Sequence, residues 1–342
     1  MDTLVDDIGS FPLPTAVNRE TFSEAYRIAR EAMANGKSIR EDGFLQKNFR
    51  DVTIDSFKTK IHTGLDVVNS PWHYDGVRQV SDALHKAMEK GSFVVDKKDA
   101  FLPEVRVIEA EAKSLSEGFG KKISLRVCLF GPMELYLKEI GTTPYSDVLD
   151  GFAETVRRFA ESSVLHTKYI KTEVVSIDEP SFGFLNIGAE KELICNIMEK
   201  AFSFQGVTRQ IHLHSSAMLP DLLRVKNIDV VSFEYAASPK NIDGISKRML
   251  EEADKSIRVG ISRTDIDSII AELNDKGITK PATEQLVETE NTIRKRYVIA
   301  KEKYGEKMTF TGPDCGLGSW PSQDAAKLLL ERTVKAVKAA QV

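Results

Sequence analysis

"RQIHLHS", residues 209–215, sets two histidines one residue apart in a short apolar run that closes on a hydroxyl. Residues i and i+2 of an extended chain share a side, so a strand here turns Ile211 and Leu213 one way and His212 and His214 the other. The apolar part comes first and the polar part last. That layout recurs in "LVDDIGS" (4–10), "GLDVVNS" (64–70), "ISLRVCLFG" (123–131), "VVSIDEP" (174–180), "IDVVSFEY" (228–235), "IRVGISR" (257–263) and "KMTFTGPDCG" (307–316). The eight runs are separated by stretches of helical periodicity.

Strands alternating with helices in one sheet imply right-handed crossovers and parallel pairing, and eight units are the count of a (β/α)8 TIM barrel in the α/β class. Barrel enzymes place their chemistry where the loops after the strands converge. The residues this assigns to the mouth are Ser10, Asn69, Ser70, Asp178, Glu179, His212, His214, Glu234, Ser262, Arg263, Asp314 and Cys315.

Two embellishments are expected. Residues 15–63 carry helical spacing in "RETFSEAYRIAREAMANGK" and "GFLQKNFRDVTIDSFKTKIHTG", an N-terminal helical segment between the first two strands. The insert "GSFVVDKKDAFLPEVRVIEAEAKSL" (91–115) alternates like a hairpin before turning helical. "SQDAAKLLLERTVKAVKAAQ" (322–341) reads as the last barrel helix, and the absence of a linker or repeat makes residues 1–342 a single domain.

Of the 342 residues, 42% are hydrophobic and 29% charged, ordinary globular composition. The net charge of -4 is spread along the chain and gives no electrostatic case for nucleic acid or an anionic membrane, so small-molecule chemistry is expected. The N-terminus lacks a basic and apolar leader, and no apolar stretch approaches about 18 residues, which predicts a soluble, cytoplasmic protein. Three cysteines are too few and too scattered for a disulfide framework. Cys128 and Cys195 read as buried filler. His62, His85 and His166 read as helix or helix-end residues, while His73 in "NSPWHYDG" follows the second strand and is placed to line the mouth.

An H-x-H pair in a strand admits two readings: metal ligands, or two hydrogen-bonded polar side chains. Glu234 closes "VVSFEY", where a buried carboxylate is costly unless paired or bound to a cation. Cys315 closes "TGPDCG", where Pro and Gly let the backbone turn toward the mouth. His212, His214, Glu234 and Cys315 are donors suited to tetrahedral zinc.

With these residues in view, the chain resembles the C-terminal catalytic barrel of the cobalamin-independent methionine synthases, in the fold group shared with uroporphyrinogen decarboxylase, and especially the short single-barrel relatives of that family. The matching segments are "DIGSFPLP", "GLDVV", "FGP", "SIDEPSFG", "IHLHSS", "VVSFE" and "GPDCGLGSWP"; they occur in family order and span residues 5–321. The resemblance implies a zinc-dependent methyltransferase acting on a thiol, with zinc on His212, His214, Glu234 and Cys315. It implies that Ile8, Gly9, Ser10 and Asp178 hold the amino-acid part of homocysteine, with Glu179, His73 and Asp314 also in the substrate pocket. It further implies methionine as the product and methylcobalamin or another methylcorrinoid, delivered by a corrinoid partner protein, as methyl donor; the second barrel that contributes to folate binding in longer members has no room here.

Three departures qualify that picture. His214 stands where the family carries a cysteine, which leaves the donor set one negative charge lighter. No histidine follows position 214; the segment matching the family's late acid/base histidine offers Ser262 and Arg263 as catalytic residues, with Arg263 or Asp265 able to orient an anionic substrate or donor instead. "NSPWHYDG" lacks the glutamate expected to bind an amino group, which keeps open a thiol without one, such as coenzyme M. The rivals are an H-x-H metal hydrolase, against which the sulfur donor argues, and a non-catalytic barrel that binds a ligand or partner.

Overall fold

The structure, a computed structural model, describes residues 2–184 and 188–341. All eight expected strands are formed: β1 Leu4–Val5, β2 Val68–Asn69, β3 Ile123–Phe130, β4 Ile170–Asp178, β5 Thr208–Leu213, β6 Val230–Phe233, β7 Ser256–Ser262 and β8 Met308–Pro313. Every pairing is parallel, in the order β1-β8-β7-β6-β5-β4-β3-β2. The two edge strands meet at a parallel bridge between Asp6 and Val67, where the N–H groups of Asp66 and Val67 donate to the Val5 carbonyl, and the sheet closes on itself.

Period-two alternation sorts the strand residues. One set packs outward against the helices in one continuous core that includes Val127, Leu129, Val175, Ile177, Ile211, Leu213, Val231 and Val259. The other set fills the barrel in layers drawn from alternate strands. At the bottom Val67, Val174, Val230 and Phe310 form a small apolar cluster of their own. Above it lie Asp6, Arg126, Gln210 and Arg258, all with no exposed surface. Asp6 accepts from Arg126 Nη1 and, at 2.6 Å, from Arg258 Nε. The adjacent Asp7 faces the opposite way and pairs with Lys60 at 2.6 Å, so the double aspartate of "LVDDIGS" serves the inside and the outside of the barrel in turn.

The N-terminal helical segment is present as Arg19–Ala34 and as a continuous helical run from Gly43 to Ile61 that includes a π-helical turn at Gln46–Arg50. It packs through Phe22, Tyr26 and Phe49, with Tyr26 stacked on Tyr74 at 4.1 Å. The expected hairpin does not form. Residues 91–102 carry no strand, and the chain turns directly into the helix Pro103–Phe119. The helix Ser146–Ser162 satisfies this segment instead: Thr155 Oγ1 accepts from Val95 N–H and donates to the Phe93 carbonyl, and Arg158 donates to the Val95 carbonyl. Those bonds occupy groups a hairpin would have paired. The last helix, Gln323–Gln341, is present, with Ser322 Oγ accepting from the N–H of Ala325. Among the described residues no helix is long and apolar enough to cross a membrane.

The seam at Asp6 leaves no room on β8. A Cβ added at Gly312 would lie 1.9 Å from the Asp6 carbonyl oxygen, a backbone atom that cannot swing away. Gly312→Ala is expected to lower the unfolding free energy by about 3 kcal/mol, read from denaturant midpoints at unchanged m-value.

Candidate metal centre

The ends of β5, β6 and β8 bring His212, His214, Glu234 and Cys315 together, with one potential donor atom from each lying within 4.8 Å of the others. His214 Nε2 is 3.4 Å from Cys315 Sγ and 3.5 Å from Glu234 Oε1. His212 and His214 point to the same side of the strand, as the alternation predicts, with ring centroids 5.6 Å apart. The Nδ1 of His212 pairs with Ser232 Oγ at 3.2 Å, while its Nε2 is buried without a hydrogen-bond partner.

These donors fit a cation. Tetrahedral zinc with bonds of about 2.0–2.3 Å separates its ligand atoms by about 3.3–3.8 Å, close to the contacts seen. The set is two imidazoles, a carboxylate and a thiol, and the unpartnered Nε2 is the atom a neutral histidine offers to a metal. Burial, reinforced by Asp314 and Asp265, pushes the Glu234 carboxyl up to about 8. Burial, then the Glu234 and Asp178 carboxylates, push the Cys315 thiol well above its ordinary value. Burial also holds both histidines below theirs. Two acids that oppose each other's ionisation beside two neutral imidazoles are a pocket in which a divalent cation removes the penalty.

Several residues expected in the pocket hold this arrangement instead of facing it. The Asp314 carboxylate accepts from the N–H groups of Tyr235, Ala236 and Ala237 at 2.7–3.0 Å and so pins the loop that follows Glu234. Gly260 makes room for it, since a Cβ there would meet Asp314 Oδ1 at 2.3 Å. Glu179 accepts from the N–H groups of Met133 and Glu134 and caps the helix Pro132–Glu139; burial holds its carboxyl well above the carboxylate range. Ser10 is bound to the loop of Cys315: its carbonyl accepts from Leu317 N–H at 2.6 Å and its hydroxyl from Gly318 N–H at 3.0 Å. Gly9, at φ +67°, donates its N–H to Cys128 Sγ, and its carbonyl accepts from Asn69. The Gly9 amide is therefore already engaged.

Ser262 and Arg263 are turned away from the metal donors. A register irregularity between Gly260 and Ser262 sends the Ser262 hydroxyl outward to Thr333 at 2.9 Å. Arg263 is bound on the rim by Asp265 and Glu272. Neither is placed for proton transfer at the centre. His73 is buried with Nδ1 on the Phe11 carbonyl, and burial drives its pKa down to about 3. Its Nε2 has no partner.

Asp178 stays inside the barrel beside His212 in the strand register, accepts from Ser176 Oγ at 2.6 Å, and is pushed up to about 6 by burial, against the pull of Arg126 and Arg258. Near it Ile8, Trp72 and Cys128 form a small apolar cluster with Phe130 packed against it. Cys128 is buried filler as expected, though inside the barrel, and Cys195 packs in the outer core. His62 caps a helix end, His85 pairs with Glu139 and His166 lies in a loop bridge.

Sequence reading missed Asn241. Its amide nitrogen donates at 2.8 Å to the carbonyls of both His214 and Glu234 and ties together the two loops that carry them. Nothing in "SPKNIDG" announces this, because the contact is made by the tertiary fold. The interior arginines were also missed, although an Arg at an inward position of "ISLRVCLFG" and of "IRVGISR" is a visible signal, since a charge inside an apolar strand requires a partner.

No family model matches the chain, and no curated protein matches it in sequence. Solved structures do. A B12-independent methionine synthase from Shewanella sp. W3-18-1, in complex with selenomethionine, aligns over 100% of this chain and 98% of its own at 13% identity and TM-score 0.60. A methyltransferase from Methanosarcina mazei aligns over 98% of this chain and 95% of its own at 12% identity and TM-score 0.54. The likeness establishes the fold.

Asp314→Ala frees the loop after Glu234 and is expected to weaken zinc binding by about 10–100-fold, with Asp314→Asn falling between it and the wild type. Competition against a chromophoric chelator measures this.

Proposed function

We propose that this protein is a zinc-dependent methyltransferase that passes a methyl group to a thiol, with homocysteine as acceptor and methionine as product. The observation that carries the reading is the convergence of His212, His214, Glu234 and Cys315 at the ends of three strands of a parallel barrel. The overlap with solved structures named as a methionine synthase and a methyltransferase, nearly end to end on both sides, supports it.

Zinc held by the four donors would supply the positive charge that lets a thiol, with a free pKa of about 8.5, meet its donor as a thiolate near neutrality. The chain's own residues do the rest. Ser232 fixes the His212 ring so that Nε2 faces the centre. Asp314 and Asn241 hold Glu234 and His214 in place. Asp178 offers a carboxylate to the acceptor's ammonium group, and Ile8, Trp72 and Phe130 wall the space beside it. The sulfur–carbon bond forms as the donor's bond to the methyl group breaks, its electron pair staying with the donor. A methylcorrinoid, brought by a corrinoid protein, is the proposed donor in place of methyltetrahydrofolate.

The segment after β2 favours a second acceptor class. Trp72, His73 and Tyr74 are buried there, and a thiol without an amino group, of which coenzyme M is an example, needs no carboxylate from it. Assays pairing each thiol with methylcobalamin separate the two classes.

Zinc-loaded protein supplied with methylcobalamin and homocysteine is expected to form methionine, and His212→Ala or Cys315→Ala to reduce the rate at least about a hundredfold. A zinc-loaded wild type that methylates no thiol from methylcobalamin or methyltetrahydrofolate would overturn the reading.

A further inference from the structure

The barrel's interior charge is not balanced within its own layer. Arg126 and Arg258 share the single carboxylate of Asp6, and all three side chains are fully enclosed. The fourth member, Gln210, accepts from Arg126 Nη1 at 3.3 Å and brings no charge. Arg126 Nε and Nη2, Arg258 Nη1 and Gln210 Nε2 are buried with no hydrogen-bond partner. The other charged pair near the seam, Lys60 with Asp7, lies on the outer side of the strand and neutralises itself. The layer therefore holds one more cation than it has anions.

A lone excess guanidinium in a barrel core is costly by itself. Its position says what it serves. Gln210 and His212 are two residues apart on β5, so the guanidinium layer sits one strand repeat, about 6.7 Å, beneath the first metal donor. Both arginines are close enough to depress His212 and to favour the anion of Asp178. Above them the working state sets four anions, Asp178, Glu234, Cys315 and the acceptor sulfur, against zinc and the one ammonium that Asp178 receives, which leaves the set net negative. Zinc carries too little charge to neutralise that set.

We propose that the Asp6, Arg126, Gln210 and Arg258 layer is the electrostatic floor of the thiol site, and that its excess positive charge, fixed in the fold, sets the affinity for an anionic acceptor. Arg126 and Arg258 are positioning residues in this role; neither hydrogen-bonds a metal donor, and Arg258 Nη2 donates to the Pro313 carbonyl at 2.8 Å. Because the layer is enclosed, salt does not screen it. The inference rests on the proposed thiol chemistry and deepens it.

Gln210→Glu tests it with little change of shape. The new carboxylate stands where Arg126 already donates and where unpartnered guanidinium nitrogens await an acceptor, so the fold keeps or gains stability and the added group stays ionised. It cancels the layer's excess charge. One unit charge about 13 Å from the acceptor sulfur, at an effective dielectric of about 20, changes its affinity about tenfold.

The measurement is homocysteine titrated into cobalt-substituted protein, followed by the thiolate-to-cobalt charge-transfer absorption, at low and at high salt, with the thermal midpoint recorded on each sample. The wild type should develop the band. Gln210→Glu should require about ten times more homocysteine at both salt concentrations, with an undiminished thermal midpoint. Arg258→Met should shift in the same direction. Equal homocysteine affinity in the wild type and Gln210→Glu would overturn the inference while leaving the thiol chemistry standing. A metal-loaded wild type that develops no band would take down both.

Discussion

Asp6 holds the barrel shut. It sits at the bridge that joins the first and second strands through the Val5 carbonyl, its N–H donates to the Thr311 carbonyl and its own carbonyl fills the space that Gly312 leaves on the eighth, and its carboxylate binds the guanidiniums of the third and seventh. Strands β1 and β2 are each two residues long, too short to hold a closed sheet by ladder hydrogen bonds alone. A buried ion pair is weak evidence of net stability, because desolvation offsets the attraction, but removing one partner leaves a buried charge uncompensated. The interaction works mainly as a register lock: only one closure places the carboxylate between both arginines.

From that lock the rest of the interior follows. An apolar floor and a charged layer, each from side chains facing inward on alternate strands, stack upward, and the candidate metal donors close the stack at the ends of β5, β6 and β8. Burial opposes the charged forms of the donors, which is why Glu234 and Cys315 are both pushed toward protonation and why a cation fits among them. Much of the surrounding polar chemistry maintains that unfavourable arrangement: Asp314 spends its carboxylate on three backbone N–H groups, Glu179 on a helix end, and Ser10 on the loop of Cys315.

The strands were legible because each run puts apolar residues first and polar residues last, and the convergence of His212, His214, Glu234 and Cys315 because a carboxylate and a thiol closing such runs have few other uses. Polar residues at strand ends looked alike in the sequence, yet they divide in the fold. His212 and Asp178 face in, whereas Glu179 and Ser262 turn to neighbouring helices, Ser262 through a register slip that no residue pattern encodes. The insert after β2 misled for a related reason. Its alternation is genuine, but Thr155 and Arg158 from a distant helix take the hydrogen bonds a hairpin would have used. Asn241 was invisible because its value lies in two carbonyls brought to it by tertiary structure.

Whether the four donors hold a metal that takes a thiol as a further ligand is decided by zinc-edge X-ray absorption on the zinc-supplemented protein, with and without homocysteine. Bound zinc is expected with nitrogen, oxygen and a single sulfur neighbour, as the donor set dictates, and with one more sulfur once homocysteine is added. A folded protein that binds no zinc, or a zinc shell unchanged by any thiol, would contradict it.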